Sequence, residues 1–223
     1  MSKTAEVVLF DLWMTLIYSL PRDPILDLQV LLGLSGSVLD PKIAAACLTT
    51  DIGDEKAFLR DLAAKQGLKF GPAKWRKIGA GFAALTAAER DGVRLYPDTL
   101  QVLTELKRRG KRLGLISNLW PFPVDHIFKK LGLGAHFEHL VYSFAEGVAK
   151  PDRRIFQSAM ERFAVAADRC LMVGDSLSSD IGGASGVLMP AVLINRTGKE
   201  IVLPTSTVSL RQVTSLSELL QVC

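Results

Sequence analysis

Residues 7–16 read VVLFDLWMTL: four apolar residues run straight into Asp11, and Thr15 follows four residues later among further apolar neighbours. A short apolar run of this kind is the pattern of a strand buried on both faces of a parallel sheet. A carboxylate inside such a strand costs several kcal/mol or gives up its charge, which places Asp11 at the carboxyl end of the strand. In open α/β sheets ligands bind outside those ends. Taken alone, the stretch reads more readily as an aspartate capping a turn or a helix.

Three later segments set polar residues after, or close after, a strand-like run. Residues 112–118, RLGLISN, end in Ser117 and Asn118; residues 142–152, YSFAEGVAKPD, carry Lys150 ahead of a proline; residues 170–180, CLMVGDSLSSD, close a strand with Gly174 and Asp175 and place Asp180 five residues on. Strand ends gathered on one sheet edge bring together three carboxylates, a lysine and small polar groups, which outlines a phosphate and metal site.

In order and spacing these segments resemble the four motifs of the haloacid dehalogenase (HAD) superfamily: a nucleophilic Asp with a Thr four residues on, a Ser or Thr ending the second strand, a Lys often followed by Pro, and a GD-S-xxx-D segment. The match runs from Val7 to about Asn195. One position departs from it. Most phosphatases of the family read D-x-D in the first motif, whereas this chain reads Asp11-Leu12-Trp13, with Met14 in place of the usual glycine.

The resemblance implies an α/β fold, a Rossmann-like parallel sheet core with helices on both faces and an all-helical cap insertion. Beyond Tyr96 the sequence alternates strand and helix at βαβ spacing, consistent with a parallel sheet. Between residues 20 and 90 the pattern is helical throughout. Ile25, Leu28, Leu31 and Leu32 recur at helical spacing, 41–48 is alanine-rich, 55–66 ends at Gly67, and a helix starting near Pro72 carries Trp75, Ile78, Phe82 and Leu85 on one face. The expected organisation is a core of residues 1–19 and 91–223 with a cap of residues 20–90. Asp98 is expected to cap the helix that follows it, and Thr207–Leu210 with residues 215–222 to form a last strand and helix. An aromatic stripe such as Trp75 and Phe82 reads as core before substrate contact.

Composition narrows the classes. With 223 residues and 48% hydrophobic content, the chain suits one domain plus an insertion. A formal charge of +4 is mild and points weakly to anionic ligands. The densest basic run, KRRGKR at 107–112, falls at a helix end, where cations favour the dipole, so no nucleic-acid partner is expected. Cys47, Cys170 and Cys223 are too scattered for a disulfide framework or a CxxC site, which points to a reducing compartment. Residues 7–20 are apolar enough to suggest a signal-peptide core, but Asp11 interrupts them. No uninterrupted apolar run reaches membrane-spanning length. The reading is a soluble, cytoplasmic protein; its oligomeric state stays open. His136 and His139 form an H-x-x-H spacing, which without a third ligand reads as a surface loop.

By the same resemblance, Asp11 is the nucleophile and Lys150 the fixed cation. Thr15, Ser117 and the Asn118 backbone N–H supply neutral donors to a phosphoryl group. Mg²⁺ is expected at Asp11, the Trp13 backbone carbonyl and Asp175, with Asp180 beside them, a hard-oxygen set that this ion favours. The substrate expected is a small phosphorylated metabolite. The Trp13 indole N–H can donate a hydrogen bond but does not titrate, and losing general acid–base help costs about 10²- to 10⁴-fold in rate. Three readings follow: a phosphohydrolase with weakened acid–base function, a metal-free 2-haloacid dehalogenase, which has an aromatic residue at this place, and a binding or regulatory protein that has lost turnover.

Overall fold

The computed structural model describes residues 5–19, 23–34, 36–198 and 210–221. The chain begins with strand β1 (Val7–Phe10), turns, and enters a two-residue strand β2 (Ile17–Tyr18). Four helices follow: α1 (Pro24–Leu31), α2 (Pro41–Leu48), α3 (Glu55–Lys65) and α4 (Pro72–Gly92). Asp23, Asp40 and Asp54 cap the first three through backbone N–H groups, and Pro72 opens the fourth. The chain returns through β3 (Arg94–Leu95), which pairs antiparallel with β2. This ribbon, two residues a side, gave no sequence signal because periodicity needs more residues than that to register.

After β3 the chain alternates as expected: α5 (Thr99–Arg108), β4 (Arg112–Ser117), α6 (Val124–Leu131), β5 (His139–Tyr142), a short α7 (Ser143–Glu146), α8 (Arg153–Phe163) and β6 (Cys170–Gly174). A wide helical turn, Leu177–Gly182, leads into the short α9 (Gly183–Gly186) and then β7 (Ala191–Ile194) and β8 (Leu210–Val213). The final strand is thus described from Leu210. Its expected start at 207–209, the break at Pro21 and Cys223 lie outside the described residues, and the expected last helix is a 3₁₀ turn, Leu216–Gln221.

The six principal strands form one parallel sheet in the order β5-β4-β1-β6-β7-β8. This is a Rossmann-like α/β fold. Alternation along the strands divides the core: Val8, Phe10, Leu113, Leu115, Leu171 and Val173 face one helical layer, whereas Val7, Leu9, Ile116, Cys170 and Met172 face α8 on the other. Gly114 interrupts the pattern for a steric reason, since a Cβ there would lie 2.6 Å from the Phe163 ring and 2.7 Å from Leu9. Helices α1 to α4 enclose a third cluster, built on Leu28, Phe58, Leu62, Ile78 and Phe82, which Trp120 and Phe122 enter from the loop after β4. Phe82 is fully buried there and Trp75 packs on Phe70, so the aromatic stripe is core.

One local expectation needs correction. Asp98 stands at the N-terminus of α5 but makes no cap; its Oδ2 instead accepts from Arg196 and from the Leu216 N–H, tying the helix to the end of the chain. The basic run stands at the end of α5, as read from the sequence, and is engaged within the chain: Arg108 and Arg109 bind Glu105, Lys107 donates to the Ala135 carbonyl, and Arg112 forks onto Glu138. Among the described residues no helix is long and apolar enough to cross a membrane.

Candidate active site

Strand β1 lies between β4 and β6, so successive connections leave it in opposite directions and open a crevice at its carboxyl end. Asp11 follows the last residue of β1, Ser117 ends β4, and Asp175 follows Gly174 at the end of β6. Lys150, on the loop after α7, enters the same crevice and organises it. Its Nζ donates to Asp11 Oδ1 at 2.6 Å, to Asp180 Oδ1 at 2.6 Å and to the Ile116 carbonyl at 2.8 Å. Three acceptors use all three ammonium protons. Burial pulls the lysine pKa down, but Asp11 and Asp180 outweigh it and hold the group charged.

Ser117 Oγ donates to the same Asp11 Oδ1 at 3.0 Å. Asp180 is almost fully buried, and both its oxygens are engaged: Oδ1 by Lys150, Oδ2 by the Ser176 N–H at 3.0 Å. The position of Asp180 explains Gly174, because a Cβ on that residue would fall 2.2 Å from Asp180 Oδ2. Asp175 has no such lysine. Burial, then Asp11 and Asp180, push its carboxyl up to about 7.

Asp11, Asp175 and Asp180 each offer a carboxylate oxygen within 4.8 Å of the others, the one such metal-capable group among the described residues. Three carboxylates thus face one ammonium, an excess of negative charge in a buried place. The donor set is all hard oxygen, which suits Mg²⁺. His136 and His139 stand apart from it; His139 packs edge-on against Phe163.

Two expected participants sit differently from the rest. Thr15 is fully buried in the turn after β1, and its hydroxyl has no partner, so it is not hydrogen-bonded to the cluster. Asn118 acts through its side chain, which sequence reading had passed over: Nδ2 donates to the Lys150 carbonyl at 2.9 Å and Oδ1 accepts from the Lys150 N–H at 2.7 Å. Ser143 likewise escaped notice. Its Oγ accepts from the Leu119 N–H and donates to the Leu119 carbonyl, tying the loops after β4 and β5. Met14 has a left-handed φ of 56°, a conformation in which glycine carries no Cβ penalty.

Beside the turn after β1 and the loop after β4 lies a cavity of about 860 Å³, which Asp11, Ser117, Lys150, Asp175 and Asp180 do not line. Trp13, Met14 and Asn118 to Trp120 border it from the sheet side, and α1 and α4 contribute Ile25, Leu31, Leu85 and Glu89 among others. Neither Trp75 nor Phe82 lines it.

A sequence model of haloacid dehalogenase-like hydrolases matches residues 42–187, a span that begins after Asp11 but includes Ser117, Lys150, Asp175 and Asp180. The chain belongs to that hydrolase family. A glyceraldehyde 3-phosphate phosphatase of Pyrococcus abyssi is 39% identical over 119 residues, 53% of this hydrolase and 49% of that protein. A (S)-2-haloacid dehalogenase of Pseudomonas sp. strain YL is 35% identical over 102 residues, 46% of this chain and 42% of that one. These matches span about half of each relative. By fold, the hydrolase is similar along 99% of its length to 97% of a HAD phosphatase from Thermococcus onnurineus, with a TM-score of 0.64 at 24% identity.

Proposed function

We propose that the hydrolase is a Mg²⁺-dependent phosphohydrolase acting on a small phosphorylated metabolite through an aspartyl-phosphate at Asp11. The carrying observation is Asp175, a third carboxylate beside the Asp11–Lys150–Asp180 chain that has no cation of its own and is pushed up to about 7. A metal-free dehalogenase has no use for it. Similarity to phosphatases supports the same reading.

In this reading Asp11 and Asp175, with the Trp13 carbonyl, hold Mg²⁺, and Asp180 serves beside them as the counter-ion of Lys150. The bound ion would neutralise phosphoryl oxygens. An Asp11 carboxylate oxygen attacks phosphorus, the P–O bond to the leaving group breaks, and Lys150 with Ser117 and the Asn118 N–H stabilises the charge that gathers on the phosphoryl oxygens. Water then cleaves the aspartyl-phosphate, releasing inorganic phosphate. Residues 20–90 act as a cap over this core, and the protein works in the cytoplasm.

Trp13 sets the limit on rate, because it neither protonates the leaving group nor activates water. Turnover of aryl phosphates is therefore expected to depend steeply on leaving-group pKa, more so than in a D-x-D phosphatase. A series of substituted phenyl phosphates measures this; a flat dependence with chemistry rate-limiting means that another residue is the acid. The same indole, with Met14 beside it, also supports a second reading, in which the pocket binds phosphate without turnover.

A further inference from the structure

The turn after β1 carries the one ligand of the proposed metal site that the sheet does not fix directly. Asp11 is set by its backbone N–H, which donates to the Val173 carbonyl of β6 at 2.8 Å, and Asp175 follows β6 itself. The Trp13 carbonyl belongs to a turn that closes on itself. The Leu12 carbonyl accepts from the Leu16 and Ile17 N–H groups at 2.9 and 3.0 Å, and the Met14 N–H donates to the Ile17 carbonyl at 2.7 Å. Such local bonds give the turn its shape, but its orientation against the rest of the sheet needs an outside hold.

Arg196, just beyond the end of β7, supplies one. Its guanidinium donates to the Thr15 carbonyl at 2.8 Å and to Asp98 Oδ2 at 3.0 Å, and it lies over the Tyr96 ring, 4.0 Å from the centroid. Tyr96 packs in turn on Tyr18, and its hydroxyl reaches Met14 Sδ at 3.9 Å. The two residues that follow Trp13 are therefore both held from outside the turn, Thr15 by Arg196 itself and Met14 by the ring that Arg196 covers. We propose that Arg196 is a positioning residue for phosphoryl transfer, holding this turn so that the Trp13 carbonyl meets Mg²⁺ together with Asp11 and Asp175. The role rests on the phosphohydrolase reading above and adds to it a residue that acts through the turn rather than on metal or substrate.

The chemistry of the side chain fits this role. A planar fork that donates in two directions while stacking on a ring is a property of guanidinium; a lysine ammonium could keep one of the bonds but not both together with the stack. The Arg196 side chain is only 9% exposed, and Asp98 beside it 15%. Taking two such charges out of water offsets most of their attraction, so the pair contributes more to geometry than to net stability. Groups that orient metal ligands without touching the metal typically change its affinity by about 10- to 100-fold.

Calorimetry of Mg²⁺ binding tests this without turnover. Removing Arg196 alone would strand the Asp98 carboxylate, so Arg196→Met is made together with Asp98→Asn, whose amide oxygen can still accept from the Leu216 N–H. Mg²⁺ should bind the double variant about 10- to 100-fold more weakly than it binds Asp98→Asn alone. Labelling of Asp11 by acetyl phosphate should fall at limiting Mg²⁺ and recover as Mg²⁺ is raised. Arg196→Lys, which keeps a positive charge beside Asp98, should fold and bind Mg²⁺ with an affinity between the double variant and the wild type; it decides the question alone if the double variant does not fold. Equal Mg²⁺ affinity in the double variant and Asp98→Asn, whatever the change in melting temperature, makes Arg196 a structural residue and overturns the assignment, as does wild-type affinity in Arg196→Lys. If the wild type binds Mg²⁺ and labels at Asp11 while the Arg196 variants match their references, only the positioning role fails. If the wild type binds no Mg²⁺, or Asp175→Asn binds it equally well, the metal reading fails and the role of Arg196 falls with it.

Discussion

Asn118 and Lys150 are joined by reciprocal hydrogen bonds, side chain to backbone in both directions, at 2.9 and 2.7 Å. The pair locks the loop after β4 to the loop that carries the ammonium, so the position of Lys150 Nζ over Asp11 is set by a residue that need not touch substrate with its side chain. Asn118→Ala removes both bonds and leaves two buried or half-buried backbone groups unpaired. The expected cost is about 1–3 kcal/mol of stability, with a fall in kcat as Lys150 loses its placement. Chemical denaturation and steady-state kinetics on the same variant check both effects. Unchanged kcat would mean that the pair is structural only.

Stability of the metal-free protein should fall as pH rises. Burial raises the Asp175 carboxyl from 3.8 to about 7 and, despite Lys150, raises Asp180 as well. A carboxyl whose pKa is higher folded than unfolded binds more protons in the native state between those two values. The slope of unfolding free energy with pH is then negative, so Asp175 weakens the fold progressively from about pH 4 to about pH 7. Glu89, raised to about 8, extends the same trend. Mg²⁺ should offset the loss at the upper end by binding only the folded state. Thermal melts across that range, with Mg²⁺ and with EDTA, measure this, and Asp175→Asn should flatten the metal-free slope and remove most of the Mg²⁺ effect. A Mg²⁺ stabilisation unchanged in Asp175→Asn would remove that residue from the metal site.

The turn after β1 offers a gain-of-function test. Met14 holds a φ of 56° and is 40% exposed, so glycine there should relieve about 1 kcal/mol of backbone strain with little lost packing, less what the freer unfolded chain costs. Trp13→Asp supplies a titratable carboxyl at the family's acid position. The double variant is expected to raise alkyl-phosphate turnover by some part of the roughly 10²- to 10⁴-fold worth of general acid–base catalysis, read in a phosphate-release assay. A folded double variant with no gain would favour phosphate binding without turnover.

The site was legible where chemistry lies at a strand end. Asp11, Ser117 and Asp175 interrupt or close apolar runs, and a charge there has few other places to go. Lys150 was legible only through motif order, since nothing local separates it from a solvated lysine before a capped helix. What the sequence hid depends on tertiary packing. Glu89 looks like the solvent face of α4, yet the fold sets it on a cavity wall beside Trp120, whose indole hydrogen-bonds its carboxyl. Asp98 has the ideal place for a cap, yet Arg196 and Leu216, distant in sequence, take its carboxylate. Likewise Thr15 is correctly spaced from Asp11, but the tight turn between them leaves its hydroxyl buried and unbonded.

The central claim is that Asp11 is a phosphoryl acceptor, and trapping tests it most directly. Because Trp13 provides no base for water, the wild type given acetyl phosphate and Mg²⁺ should accumulate an aspartyl-phosphate, seen by mass spectrometry as one added phosphoryl group on the peptide containing Asp11. Asp11→Asn should show none, and Lys150→Met far less than wild type. A folded, Mg²⁺-binding wild type that never labels at Asp11, or that labels equally in Asp11→Asn, would contradict the account.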